Sequence, residues 1–159
     1  MFNAVDLSWK AVRLGSADGD LYCDHLMRLD PEDRRFRFFG DPPDYLLALH
    51  AGAAVSDGRF VIACESQGEI RGAGELLPDA DDPTRGELAF SVEREWRRRG
   101  LGGAIMALML DEAKRRGIDR LDLEIMADNL AMQNLARRFT ADLHCSEGNV
   151  VATIAVDPA

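Results

Sequence analysis

A strand followed by a basic, glycine-rich turn and a long helix limits most strongly what this chain can fold into. The stretch from Glu87 to Val92 alternates as a strand, and apolar residues recur at helical spacing from Leu101 to a stop at Gly117. The turn between them contains Arg97–Gly100. Unpaired N–H groups at a helix N-terminus carry partial positive charge and bind anions. The segment therefore predicts an α/β unit with a pyrophosphate site at the turn.

Two kinds of residue in the turn favour phosphate binding. Glycines let phosphate oxygens approach the backbone without a Cβ in the way, and arginines add charge-assisted hydrogen bonds. The turn lacks the Lys-Ser/Thr of a P-loop and the three-glycine spacing of a dinucleotide fingerprint. The predicted phosphate-binding residues are Arg97, Arg98, Arg99, Gly100, Leu101, Gly102 and Gly103.

The rest of the chain predicts further strands and helices in mixed order. With 159 residues and 47% hydrophobic content, we expect one domain over residues 1–159. The pattern is that of a mixed α/β fold. The predicted elements are an edge strand at 9–14, a helix through Leu21, His25, Leu26 and Leu29, a helix from Asp30 through Phe39, a hairpin of 59–65 and 70–77 turning at Gln67-Gly68, strands at 87–92 and 121–125, a helix from Asp128, and two strands within 141–155 turning near Glu147-Gly148-Asn149.

Charge and hydropathy exclude several classes of function. A formal net charge of −9 argues against a nucleic-acid partner and mildly favours a cationic one. The same acidity is explained at least as well by its effect on solubility. No apolar run approaches the roughly 20 residues that cross a bilayer, so we expect no membrane partner. The first 15 residues lack the pattern of a secretory leader. We therefore expect a cytoplasmic protein.

The cysteines indicate neither a disulfide framework nor a metal site. Cys23, Cys64 and Cys145 are odd in number and widely spaced, without a CxxC pair or a His/Cys cluster. Cys64 lies in an apolar run, which favours a small buried hydrophobe over a nucleophile. We expect reduced thiols and no metal.

The motif Arg97-x-x-Gly100-x-Gly102 resembles the coenzyme A signature of the GNAT acetyltransferase superfamily, and it stands between the expected strand and helix. The resemblance continues through Leu121–Met126 and Asp128–Met132. It implies a central, mostly antiparallel mixed sheet that splays at an acetyl-CoA site and is flanked by helices. It also implies that the backbone of Ser91 and Val92 holds the pantetheine arm, with an N–H there for the oxyanion. Asn129 would bond the pantetheine amides, and it also suits an N-terminal helix cap.

A second resemblance points to one branch of that superfamily. The segment Leu29–Phe39 is similar to the one that opens the catalytic domain of bacterial Pat-type protein lysine acetyltransferases. The same residues also fit an ordinary amphipathic helix, with arginines on the solvated face and phenylalanines on the other. The segment therefore supports ancestry more than substrate.

An alkyl amine, with a pKa near 10.4, is almost wholly protonated at pH 7, so a general base is useful. Glu87 is the predicted base, because Gly86–Phe90 resembles the Pat-type stretch in which a Glu has this place. Its alternative interpretation is an exposed carboxylate at a strand start, and Glu124 and Glu75 are the next candidates. The family's usual tyrosine acid corresponds to Ala136, so the general acid is unassigned.

These features predict acetyl transfer from acetyl-CoA to a primary amine acceptor, with a protein lysine as the leading partner. A small-amine acetyltransferase uses the same chemistry and is the first alternative. A non-catalytic acetyl-CoA sensor is the second, since the missing tyrosine allows it. A homodimer is compatible with the sequence, and the acyl chain length is open.

Overall fold

The structure, a computed structural model, describes residues 8–56 and 59–157 of the chain. Within these ranges seven strands form one mixed sheet and five α-helices pack on its two faces. The strands are β1 (Lys10–Arg13), β2 (Phe60–Ser66), β3 (Glu69–Pro78), β4 (Arg85–Val92), β5 (Arg120–Met126), β6 (Asp142–Ser146) and β7 (Asn149–Ala155). The helices are α1 (Gly19–Arg28), α2 (Pro31–Phe38), α3 (Asp44–Ser56), α4 (Leu101–Arg115) and α5 (Leu130–Arg138).

The sheet runs in the order β1-β2-β3-β4-β5-β7-β6, and every neighbouring pair is antiparallel except β4 and β5. The parallel pair is joined by the crossover through α4, as a parallel pair requires. The predicted mixed sheet with flanking helices is confirmed. The predicted edge strand is β1, although Met1–Leu7 and the leader prediction that partly rests on them lie outside the described residues.

The predicted tight turns have left-handed backbone where the sequence places them. Gln67 and Gly68 have φ of 53° and 79°, as the two central residues of the β2–β3 hairpin. Glu147 and Gly148 have the same arrangement, at 51° and 82°, between β6 and β7. Both hairpins are confirmed.

The helix α2 begins as the sequence predicts. Asp30 accepts a hydrogen bond from the Asp33 N–H at 2.9 Å, and Pro31 is the first helical residue. The predicted last helix begins slightly later than expected: Asn129, and not Asp128, is the N-cap of α5.

The helix α3 was not foreseen, because its apolar residues show no helical periodicity. Leu47 and Ala51 are buried, whereas Tyr45 and Leu49 are each 66% exposed. An element that is apolar on both its inner and outer faces gives no periodic signal.

Two cores lie on opposite faces of the sheet. One packs α1 and α3 against β2 and β3, with Tyr22, Leu26 and Leu47 at its centre. The other packs α4 and α5 against the middle strands. A Cβ at Gly74 of β3 would overlap Ile105 Cγ2, so the absence of a side chain there lets α4 approach the sheet closely.

The sheet divides at its centre. The parallel ladder of β4 and β5 pairs Arg85–Glu87 with Arg120–Asp122. Beyond that point β4 continues to pair with β3 through Val92, and β5 continues to pair with β7 through Met126. The two strands therefore separate, and a wedge opens toward their carboxyl ends. This confirms the predicted splay.

Candidate active site

The wedge is lined on one side by an unpaired edge of β4. The Glu93 N–H donates to the Arg71 carbonyl at 2.9 Å, and the Asp79 N–H donates to the Arg85 carbonyl at 3.0 Å. Odd-numbered residues at both ends of β4 thus bond toward β3. Because bonding direction alternates along a strand, the even-numbered residues direct their N–H and C=O groups toward β5.

Because of this alternation, the backbone groups of Ser91 and Val92 point in opposite directions. Ser91 stands opposite Ala73, so its backbone groups face β3 and are not open to a ligand. Phe90 and Val92 direct theirs into the wedge, past the last β4–β5 pair. The register thus leaves the backbone of Phe90 and Val92, rather than that of Ser91, open to the wedge, and the role of Ser91 and Val92 toward the pantetheine arm stays a prediction.

A cavity of about 360 Å³ lies in the wedge. Its walls come from β4, β5, the end of α2 and the start of α5. Its volume is at the lower end of the range for small-molecule sites. The lining residues are Phe36, Arg37, Phe39, Glu87, Leu88, Ala89, Phe90, Asp122, Leu123, Glu124, Ile125, Asn129, Met132 and Val151.

Glu87 lies at the closed end of the wedge, in the last β4–β5 pair, opposite Asp122. Its side chain is exposed and lines the cavity. No ion pair or hydrogen bond joins that side chain to another described residue. Asp122 accepts from Thr153 Oγ1 at 2.7 Å, and Glu124 accepts from Asn149 Nδ2 at 3.2 Å. Glu87 is thus the carboxylate of the cavity that holds no internal hydrogen bond.

Glu75, the other alternative candidate for the general base, lies in a buried polar cluster that the sequence analysis did not predict. Its carboxylate accepts from Tyr22 Oη, faces His50 Nε2 at 2.7 Å, and pairs with Arg37 at 3.0 Å and Arg59 at 3.6 Å. Burial alone would raise the pKa of Glu75, but the hydrogen bond from His50 and the charge of Arg37 outweigh it and lower the pKa to about 2. A carboxylate of this kind is a poor proton acceptor near neutral pH.

The turn before α4 presents unpaired backbone N–H groups, as an anion requires. Gly100 is the N-cap with φ of 85° and offers no side-chain cap, so the N–H groups of the first turn of α4 are left for a ligand. Arg98 also has left-handed backbone, with φ of 60°. The turn therefore fits a diphosphate.

The glycines and Leu101 have different roles within this turn. A Cβ at Gly102 would lie 3.2 Å from Leu135 Cδ2, so this glycine lets α4 pack against α5. A Cβ at Gly103 would meet nothing within 4 Å. The Leu101 side chain is buried in the core, so it is through its backbone that this residue would contact a phosphate.

The arginines of the turn are engaged to different degrees. Arg97 forms an ion pair with Asp33 of α2. Arg99 donates to the Glu95 carbonyl at 3.1 Å, and its guanidinium lies 5.5 Å from the centre of the Trp96 ring. Arg98 is exposed, without a side-chain hydrogen bond to the described residues. The predicted phosphate role thus remains open for Arg98 and Arg99, and Arg97 already has a protein partner.

Asn129 is a helix cap, as its alternative interpretation predicts. Its Oδ1 accepts from the Met132 N–H at 3.2 Å. The residue also lines the cavity. Its role toward the pantetheine amides stays a prediction.

No tyrosine lines the cavity. Tyr22 is fully buried in the Glu75 cluster, and Tyr45 is exposed on α3. Ala136 is buried in α5. The structure thus offers no tyrosine as a general acid within the described residues.

A second buried network fixes the end of β4, and the sequence did not reveal it. His25 bridges Ser91 Oγ at 2.8 Å and Glu93 Oε1 at 3.1 Å. Burial lowers the pKa of His25, although its bond to Glu93 opposes the shift. Arg28 and Arg71 also bond Glu93, at 2.8 and 3.1 Å. His25 is buried beside Leu26 in α1. The sequence does not reveal its hydrogen bonds, because both partners are more than 60 residues away.

Cys64 does not line the cavity. Cys64 is buried, and burial raises the pKa of its thiol to about 12, so it is the inert hydrophobe that the sequence predicts. No group of three metal-ligating side chains occurs among residues 8–56 and 59–157. Across the same described ranges, none of the helices combines the length and apolarity needed to cross a membrane.

Comparisons with known proteins match this arrangement. The Acetyltransferase (GNAT) family matches residues 23–140. Acetyltransferase Pat of Mycolicibacterium smegmatis (strain ATCC 700084 / mc(2)155) is 26% identical over 109 residues, which cover 68% of this chain and 33% of that protein. This chain therefore spans about a third of the length of the curated relative that it matches.

Solved structures share the fold. The GNAT domain of S. lividans PAT superimposes with a TM-score of 0.84 at 19% identity, over 92% of this chain and 90% of that one. The structure of yncA, a putative acetyltransferase from Salmonella typhimurium with its cofactor acetyl-CoA, gives a TM-score of 0.70 at 16% identity, over 95% of each chain. With the family match over most of its length, the chain belongs to the GNAT family, the acyltransferases that take their acyl group from acetyl-CoA.

Proposed function

We propose that this chain transfers an acetyl group from acetyl-CoA to a primary amine, specifically a lysine side chain of a protein, by direct attack with Glu87 as general base. The observation that carries the proposal is the position of Glu87. It lies at the closed end of the wedge, exposed to the cavity and without a hydrogen-bond partner among the described residues.

Bound acetyl-CoA supplies the thioester carbonyl that the amine attacks. Two parts of this chain fit such a ligand. The first turn of α4 presents N–H groups for the diphosphate, and the unpaired edge of β4 presents N–H and C=O groups for the amides of the arm. Val92 or Phe90 would then direct an N–H toward the developing oxyanion, fixed in place before the charge forms.

Glu87 would remove a proton from the incoming ammonium, directly or through one water, and so provide the neutral amine. Glu75 cannot take this role, because its pKa is lowered to about 2 and its oxygens are occupied. The leaving thiolate needs no tyrosine, since a thiol pKa near 8.5 makes the thiolate an adequate leaving group.

The cavity charge supports a cationic acceptor. Three carboxylates line it, those of Glu87, Asp122 and Glu124, against the single cation Arg37 among the described residues that line it. The chain carries a net charge of −9. Carboxylates attract an ammonium group and raise its local concentration. The choice of a protein lysine over a free amine rests on the resemblance to Pat-type enzymes, which the similarity to a protein named Acetyltransferase Pat supports. The segment Leu29–Phe39 supports that ancestry and does not itself indicate a substrate.

The test is release of free coenzyme A by purified wild-type protein, Glu87→Gln and the control Glu147→Gln. Glu147 is an exposed carboxylate in the β6–β7 turn, outside the cavity. The acceptors are lysine peptides, folded proteins such as acyl-CoA synthetases, and small amines. We expect turnover on a protein lysine that falls by about 10²-fold or more in Glu87→Gln and is unchanged in the control.

Two results would contradict the proposal in different ways. Turnover confined to a small amine would retain the chemistry and reject the protein acceptor. Binding of acetyl-CoA without turnover on any acceptor would favour a sensor.

A further inference from the structure

Helix α2 joins the two sides of the wedge. On the β4 side, Asp33 pairs with Arg97 of the phosphate turn. On the β5 side, Arg35 donates to Asp128 at 2.5 Å. Between these anchors, Phe36 and Arg37 form part of the cavity wall. The helix therefore lines the cavity and contacts both sides of the wedge.

The Asp33–Arg97 ion pair differs in burial from the neighbouring ion pairs of Arg94. Arg94 pairs with Asp30 at 2.8 Å and Glu32 at 3.3 Å, but its side chain is 60% exposed. The Arg97 side chain is 39% exposed, but that of Asp33 is 6% exposed, and Asp33 Oδ2 is buried without a partner among the described residues. Exposed pairs contribute little, whereas a buried carboxylate that loses its cation is strongly destabilised.

Asp33 also lies close to the point where α2 begins. It donates its own N–H to Asp30 Oδ1, and therefore belongs to the capped first turn. Burial raises the pKa of Asp33, although the hydrogen bond from Arg97 opposes the shift. The Asp33–Arg97 ion pair thus joins the capped first turn of α2 to the turn before α4.

We propose that Asp33 is a positioning residue: its ion pair with Arg97 fixes α2 to the phosphate turn and so couples acetyl-CoA binding to the shape of the acceptor cavity. Arg97 then acts through α2, and the diphosphate is held by the backbone N–H groups of α4 with Arg98 and Arg99. This inference rests on the proposed acceptor cavity.

The test is a double-mutant cycle of Asp33→Asn and Arg97→Gln, with Glu32→Gln as a matched control on the same helix turn. The dissociation constant of acetyl-CoA is measured by calorimetry, and kcat and KM are measured for the acceptor. In both single variants and the double variant, we expect the acceptor KM to rise by the same factor, about tenfold, because the pair acts as a unit. We expect acetyl-CoA affinity to change by less than about threefold, and the control to match wild type.

Two outcomes would overturn the inference. In the first, Arg97→Gln raises the dissociation constant of acetyl-CoA by tenfold or more, equivalent to about 1.4 kcal/mol, both with Asp33 and with Asn at position 33. Arg97 would then be a phosphate ligand. In the second, Asp33→Asn behaves like Glu32→Gln, and the pair has no positioning role.

A separate measurement decides the inference even if no acceptor turns over. Amide hydrogen exchange of α2 is compared with and without acetyl-CoA, in wild type and in Asp33→Asn. We expect acetyl-CoA to slow exchange in the α2 of wild type and to have little effect on α2 in the variant. An equal response in both proteins would overturn the coupling, whatever the acceptor is.

Discussion

Two glutamates on adjacent strands have opposite surroundings. Glu75 on β3 and Glu87 on β4 project from the same face of the sheet, since Glu75 stands opposite Ala89 and Glu87 opposite Leu77. The first is 5% exposed and bonded by four side chains. The second is exposed and unbonded within the described residues. The comparison shows that hydrogen-bond saturation, more than residue type or location, separates a structural carboxylate from a potential base.

The largest difference between the two glutamates should appear in stability, when Glu75 is replaced. Glu75→Gln leaves Arg37 and Arg59 without their carboxylate in a buried site. We expect the free energy of unfolding to fall by about 3–5 kcal/mol. Urea denaturation followed by circular dichroism measures the loss. In Glu87→Gln the change should stay within about 0.5 kcal/mol, and equal losses in the two variants would remove the distinction.

Acid should remove the contribution of Glu75 to stability. Its pKa falls from 4.5 to about 2 on folding, so its contribution to stability is complete above about pH 4.5 and is lost as pH falls toward 2. The contribution at neutral pH is on the order of 3 kcal/mol. Denaturation measured between pH 2 and 6 should show a steeper acid dependence in wild type than in Glu75→Gln. Parallel profiles would argue against the shifted carboxylate.

The unsaturated glutamate is tested through its pH profile. Without the base, Glu87→Gln depends on amine that is already neutral, so kcat/KM should keep rising with pH toward the amine pKa near 10.4. At neutral pH we expect kcat about 10²-fold below wild type, equivalent to about 2.7 kcal/mol. A profile in the variant that merely lies below that of wild type, with the same shape, would assign Glu87 to binding.

The smallest effect belongs to Glu124, which lies in the same cavity but holds one hydrogen bond. Because it would attract the acceptor without taking its proton, Glu124→Gln should raise the KM of a lysine acceptor by about threefold and leave kcat near wild type. Raising the salt concentration should reduce the difference in KM. A large loss of kcat in this variant would transfer the role of base from Glu87 to Glu124.

Sequence reasoning succeeded where structure is local. The hairpin turn at Gln67-Gly68, the cap at Asp30 and the stop at Gly117 each depend on residues a few positions apart, so the chain itself reveals them. The placement of Glu87 at the closed end of a wedge followed from resemblance, because no local pattern specifies where two parallel strands separate.

The buried networks show what such reasoning cannot reach. Tyr22 and Glu75 are 53 residues apart, and Asp33 and Arg97 are 64 apart. A charged residue in a helix is usually solvated, so the sequence gives Arg37 or Asp33 no sign of burial. The direction of the Ser91 backbone is equally hidden from the sequence, since it depends on the register of β4 against β3.

Because the parallel ladder of β4 and β5 is short, β4 has an unpaired edge, which also bears on solubility. A strand with unpaired N–H and C=O groups is a template for edge-to-edge association with another chain. Here that edge belongs to a central strand and faces the inside of a wedge, where α2 residues form part of the wall. Another chain would need to enter the wedge to pair with it, so the arrangement protects an open strand edge from association.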